Sequence, residues 1–185
     1  MNVLILSSSS ENIEQKYIEQ AQNVSAFLAA KGFNLIFGGS HRSMMGICYQ
    51  EFIKRKRDVY AFTKKEYIDQ LKYLEKAKIN IVDTTFDLKK LMFEKSDLII
   101  CLAGGIGTLS EILSYIEEVR SNKQDKPIII YNENNFYHNL FEQLKIFEKE
   151  KFISSNVKSF FEIVNNEKEF EDKINKLIKE SEKNE

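Results

Sequence analysis

A chain of 185 residues has room for one domain and little for two. Hydrophobic residues at 43%, with 14 Phe and 8 Tyr to fill a core, exclude a disordered or collagen-like chain. Lys and Arg number 27 against 28 Asp and Glu, and the net charge of -1 offers no basic excess to hold a nucleic-acid backbone.

Residues 3–6 form a short, wholly apolar run, the pattern of a strand buried on both faces of a parallel sheet. Ser7, Ser8, Ser9 and Ser10 break it. Residues 13–30 then follow with helical spacing at Ile13, Tyr17, Ala21, Val24 and Leu28, and Lys31-Gly32 closes that helix. A second strand is predicted over 33–37, ended by Gly38-Gly39, with a helix over 44–56 and a third strand over 59–62. The charged, tyrosine-bearing stretch 63–78 reads as a helix or ordered loop over the sheet edge. Residues 79–82 predict a short strand, 86–95 a helix, and 98–102 the most apolar strand. Ala103-Gly104-Gly105-Ile106-Gly107-Thr108 follows, and then a helix over 109–120. Pro127, the only proline, opens a strand over 128–131, where a missing N–H does little harm. A helix over 136–149, a strand-like run over 160–164 and an amphipathic helix over 168–179 complete the pattern, before a polar tail at 181–185 that is expected to fray.

Repeated strand–helix units with short connections predict one α/β domain over residues 1–180. It is a doubly wound, Rossmann-like, mainly parallel sheet with helices on both faces. Cys48 and Cys101 each stand in an apolar stretch, as reduced, buried thiols do, and two histidines are too few for a His-rich metal site. The N-terminus lacks the features of a signal peptide, and no apolar run approaches about 18 residues. A cytoplasmic protein with no membrane or nucleic-acid partner is expected.

In such folds ligands bind beyond the carboxyl ends of the strands, where the strand order reverses. Three loops are expected at that edge, beginning at Ser7, Gly38 and Ala103. Gly104, Gly105 and Gly107 let backbone approach a ligand, and a helix beginning near Thr108 points free N–H groups and its positive dipole end there, which suits a phosphate or carboxylate. No Lys follows the glycines as in a P-loop, and Ser110 stands where the dinucleotide fingerprint wants Gly, so a mononucleotide or sugar phosphate fits better than NAD. Thr108-x-x-Glu111 has two readings. It is a capping box, or it places a carboxylate beside the sugar of a bound phosphate, where the helix dipole favours the ionised form. Gly38 and Gly39 lie against the ligand or simply make a tight turn above Met44 and Met45. Arg42 or His41 reaches an anion or is only solvated, and Ser7 and Ser8 donate to that anion or cap the next helix.

The segment Ala103 to Glu111 resembles the PGGxGTxxE signature of the Lonely Guy (LOG) family, cytokinin riboside monophosphate phosphoribohydrolases once mislabelled lysine decarboxylases. Gly38 to Gly46 resembles that family's GGGxxGLMG loop, Asp125-Lys126-Pro127 its DKP segment, and residues 143–153 its closing helix and turn. The resemblance spans about residues 2–155. It departs at Ala103, Ser40 and Ser43, and at Leu88, which occupies the arginine position of the family's Arg-Lys pair, while Lys89 keeps the lysine. What the resemblance implies is hydrolysis of the N-glycosidic bond of an AMP-like nucleoside 5′-monophosphate, without metal or cofactor, in a homodimer. Glu111 and Lys89 would be catalytic. Phosphate and nucleotide would be held by Gly104, Gly105, Gly107, Thr108, Gly38, Gly39, Ser7, Ser8, Arg42 and Met92. A non-catalytic binder of a nucleotide or cofactor, like the molybdenum-cofactor carriers of this fold, is the alternative; Leu88 favours it and Glu111 favours the enzyme. Lysine decarboxylation would want a pyridoxal-phosphate lysine in a much larger chain, and nothing marks one.

Overall fold

The computed structural model describes residues 1–122, 126–153 and 156–183. Seven strands appear where the apolar runs stand: β1 (Asn2–Leu6), β2 (Asn34–Phe37), β3 (Val59–Lys64), β4 (Lys78–Val82), β5 (Leu98–Cys101), β6 (Ile128–Tyr131) and β7 (Glu162–Val164). They pair in the order β4-β3-β2-β1-β5-β6-β7, and every pairing is parallel. β1 and β5 meet at the centre in the register Val3 to Leu98 through Leu6 to Cys101. The order reverses there, so the loops leaving β1 and β5 flank the switch point.

Among the described residues, six α-helices cover the two faces: α1 (Gln15–Ala30), α2 (Ser43–Lys54), α3 (Thr85–Lys95), α4 (Ile106–Asn122), α5 (His138–Lys149) and α6 (Glu167–Ser181). Side chains of β1 alternate between the layers. Val3 and Ile5 pack with Val24 and Leu28 of α1, Phe52 of α2 and Phe170 of α6. Leu4 and Leu6 pack with Phe93 of α3, Ile112 and Ile116 of α4, and Leu144 of α5. Each of these large side chains, taken fully out of water, contributes about 1.5–3 kcal/mol. Burial on both faces is why β5 is apolar throughout and β1 is apolar at every position after Asn2.

The boundaries follow identifiable chemistry. Gly32, at φ +93, takes the left-handed conformation that ends α1. Thr84 accepts from the Asp87 N–H at 3.0 Å to start α3, and Asn166 accepts from that of Glu169 at 2.9 Å to start α6. The stretch over the sheet edge is a 3-10 helix, Lys65–Tyr73. Before α5 the chain makes a separate 3-10 turn, Glu133–Asn135, with Asn134 and Asn135 left-handed, so α5 begins two residues later than the pattern predicts. The strand expected over 160–164 is confined to Glu162–Val164. Ser181 still belongs to α6, whereas residues 184–185 and Asp125 lie outside the described residues.

The largest correction concerns α4. It begins at Ile106, three residues before the predicted start. The Leu109 N–H already bonds to the Gly105 carbonyl at 2.9 Å, so Gly107 lies within the first turn. Thr108 is therefore inside the helix, and its side chain turns back to donate to the Ser7 carbonyl at 3.4 Å. The capping-box reading fails on this geometry.

Candidate functional site

The first helical hydrogen bond of α4 leaves the N–H groups of Ile106, Gly107 and Thr108 without an acceptor in the helix. They open onto a cleft of about 270 Å³, bounded on the other side by residues 7–10 of the loop after β1 and by Met45, with Glu111 the one carboxylate among its described lining residues. Ser7 is 1% exposed, and its hydroxyl lies against the buried Cys48 thiol. Unpaired N–H groups at a positive helix end are suited to an anion. Ser8 orders its own loop: its hydroxyl accepts from the Ser10 N–H at 3.0 Å, and its carbonyl accepts from that of Met45 at 3.3 Å.

The glycines divide by role. A Cβ on Gly105 or Gly107 would meet nothing within 4 Å, so these two present bare backbone to open space. Gly104 serves packing instead, because a Cβ there would lie 2.5 Å from the Thr108 Cβ. Gly38 and Gly39 do not line the cleft. Gly39, at φ +71, has the Phe62 carbonyl 3.1 Å from where its Cβ would be, and Gly38 faces Met45. Gly46 lets α2 pass close to the His41 carbonyl.

Several expected ligand contacts lie elsewhere. Met92 is fully buried in the core under α3. The Arg42 side chain is 48% exposed and reaches Glu11 at 4.0 Å. Lys89 turns into a groove between α3 and α4, where it meets Ser110 and Ser114. Leu88 packs half-buried against the core. Among the described residues, no Lys or Arg side chain lines the cleft, and no three His, Cys, Asp or Glu side chains gather as a metal site would require.

Burial pushes the Glu111 carboxyl up to about 7, against a smaller opposing pull from Lys89. The ionised form expected from the helix dipole is thus not the favoured one, and burial is the largest influence on this group. At neutral pH both forms are populated, which suits a group that accepts a proton and returns it.

Sequence patterns miss an adjoining hollow of about 240 Å³. It shares Ser8, Ser10 and Gly105 with the cleft and is walled by Ile13, Tyr17, Met44 and Phe136. The Tyr17 and Phe136 rings meet edge to face at 5.6 Å. Phe136 remains 41% exposed after its pair of left-handed asparagines, and an exposed aromatic following Asn134-Asn135 was the available signal.

A family model described as "Possible lysine decarboxylase" matches residues 45–174, from α2 to α6. The chain belongs to this family. LOG-family relatives include a probable cytokinin riboside 5′-monophosphate phosphoribohydrolase of Oryza sativa subsp. japonica, 25% identical over 173 residues, 93% of this chain and 69% of that protein. One from Arabidopsis thaliana is 26% identical, covering 84% and 73%. One from Mycobacterium tuberculosis is 31% identical over 118 residues, 61% of each chain. Among solved structures, the molybdenum cofactor binding protein of Rippkaea orientalis superposes with TM-score 0.69 at 18% identity over 96% of both chains. The molybdenum cofactor carrier protein of Chlamydomonas reinhardtii gives 0.67 at 12% over 96% and 98%. These two likenesses show the fold of this LOG-family chain. Among the described residues, no helix is long and apolar enough to cross a membrane.

Proposed function

We propose that the protein hydrolyses the N-glycosidic bond of a nucleoside 5′-monophosphate, releasing free base and ribose 5-phosphate. The observation that carries this is one cleft holding three unpaired N–H groups and a carboxyl that titrates near neutrality. The phosphate is bound by the N–H groups of Ile106, Gly107 and Thr108 and by Ser7. Glu111 follows Ile106 by five residues, about 7 Å along the helix axis, on a side chain that leans back toward the helix start. A ribose 5-phosphate bridges such a separation. As the C1′–N bond breaks, its electron pair leaves with the base and C1′ gains positive charge, which the Glu111 carboxylate offsets. Water adds to C1′ and gives its proton to Glu111, which passes it to the departing base. Anchoring the phosphate supplies the remote binding energy that orients the sugar. The activities of the rice, Arabidopsis and mycobacterial relatives support this reading, as do two free, buried thiols that fit a reducing cytoplasm.

The test is a chromatographic assay for free base over ribo- and deoxyribonucleoside 5′-monophosphates, with Glu111→Gln beside it. Release that the variant abolishes is expected; equal release from the variant sinks the role of Glu111. Non-catalytic nucleotide or cofactor binding is the second reading, favoured by Leu88 and by the lack of a basic side chain along the cleft. It predicts tight binding with no base released. A homodimer belongs to the first reading: Phe86 on α3 is 74% exposed and Leu113 on α4 is 41% exposed, apolar surface that a second copy would cover. Light scattering checks it, and a monomer at all concentrations removes it.

A further inference from the structure

Lys89 is the cation nearest in role to the cleft, yet it does not enter it. Its ammonium donates to Ser110 Oγ at 2.7 Å, to Ser114 Oγ at 3.1 Å and to the Ser110 carbonyl at 3.3 Å, which matches three acceptors to its three donors. Ser114 donates in turn to the Ser110 carbonyl at 2.7 Å, and the Tyr115 hydroxyl donates to the Lys89 carbonyl at 3.2 Å. Backbone and side chain of Lys89 are thus both fastened to α4. The next residue behaves differently: Lys90 reaches along its own helix to Glu94 at 3.9 Å.

The ammonium of Lys89, held on Ser110 next to Glu111 in the chain, lies within electrostatic reach of the Glu111 carboxyl, as do the Cys101 thiol of β5 and the Tyr115 hydroxyl of α4. Burial pushes the thiol and the phenol up, so both are neutral near pH 7, and Lys89 is the charge that opposes the burial of the carboxyl. We propose that Ser110 and Ser114 are positioning residues, holding the Lys89 ammonium against α4 so that its charge acts on the Glu111 carboxyl from outside the cleft. Sequence spacing gives Ser110 and Ser114 the i, i+4 geometry this requires. The proposal rests on Glu111 being the group that works at the sugar.

The experiment is an NMR titration of carboxyl-labelled glutamate in the full chain without substrate, with Glu111→Gln identifying the resonance. Lys89→Met removes the charge, and Ser110→Ala/Ser114→Ala releases it to solvent. Both are expected to raise the Glu111 midpoint by about one pH unit, the effect of one charge several ångströms away in a partly wet site. Ser114→Thr, which keeps a hydroxyl, is expected to leave it in place. If the double variant fails to fold, Ser114→Ala alone is expected to move the midpoint upward by a smaller amount. An unmoved midpoint in Lys89→Met, or in the serine variants while Lys89→Met shifts it, overturns the proposal. A moved midpoint in a protein that releases no base keeps this clamp and refutes the hydrolase; base release with an unmoved midpoint does the reverse.

Discussion

Replacing Glu111 by Gln keeps the shape of the side chain and removes its titration, so the pair isolates what folding does to one carboxyl. In the folded protein the group is pushed to about 7 from an ordinary 4.5, chiefly by burial. The folded state therefore holds this proton more tightly than the unfolded chain does. The stability this confers is full below about pH 4.5 and is lost as pH rises through about 7. At about 1.4 kcal/mol per pH unit the loss comes to about 3 kcal/mol once the carboxyl is ionised, and partial exposure of the side chain brings it nearer 2 kcal/mol. Urea unfolding of both proteins at about pH 5 and about pH 8.5 measures it, because the other carboxylates contribute alike and cancel in the difference. The Gln variant is expected to gain on the wild type by about 2–3 kcal/mol between those two conditions. A difference that stays constant with pH refutes the buried, raised carboxyl and the proton-shuttle role built on it.

Gly104→Ala places a Cβ 2.5 Å from the Cβ of Thr108, which is β-branched and 5% exposed, so it is expected to cost about 1–3 kcal/mol, read as a lower melting temperature. A Cβ at Gly105 meets no atom within 4 Å, so Gly105→Val is expected to fold like the wild type while losing nucleotide binding by calorimetry; unchanged affinity would show that the phosphate lies elsewhere. Ser7→Ala removes a buried hydroxyl whose neighbour is the Cys48 thiol, so stability should change by no more than about 1 kcal/mol while nucleotide affinity falls about three- to tenfold. A weaker fold with unchanged affinity would contradict that.

Much of this was legible in the chain itself, for reasons that also mark the boundary of such reading. Leu98 to Cys101 announce a central strand because a parallel strand covered on both faces is apolar at every position. The start of α4 is hidden by Gly107, a poor helix former that looks like loop; in a first turn, whose N–H groups are free anyway, its cost is small. Thr108-x-x-Glu111 suits a cap and a helix interior equally, and only the turn of the threonine toward Ser7 separates them. Met92 and a ligand-facing methionine are indistinguishable by period. The carboxyl of Glu111 was read from the dipole alone, whereas its ionisation is decided by how much protein lies over it. Which way Lys89 turns on α3 depends on Ser110 and Ser114, on a helix about twenty residues later, and no local pattern carries that information.

The strand order has a consequence for how the molecule comes apart. β4 pairs only with β3, its Ile79 and Ile81 are 39% and 47% exposed, and the 3-10 helix beside it carries exposed Tyr67 and Tyr73. β1 and β5 lie deepest, bonded on both sides. Local opening therefore begins at the β4 margin, with amides there exchanging with solvent early and those of Leu4 and Ile99 among the last. The loops that carry the proposed anion site hang from the slowest-exchanging strands, so one border of the sheet can breathe while those loops keep their register.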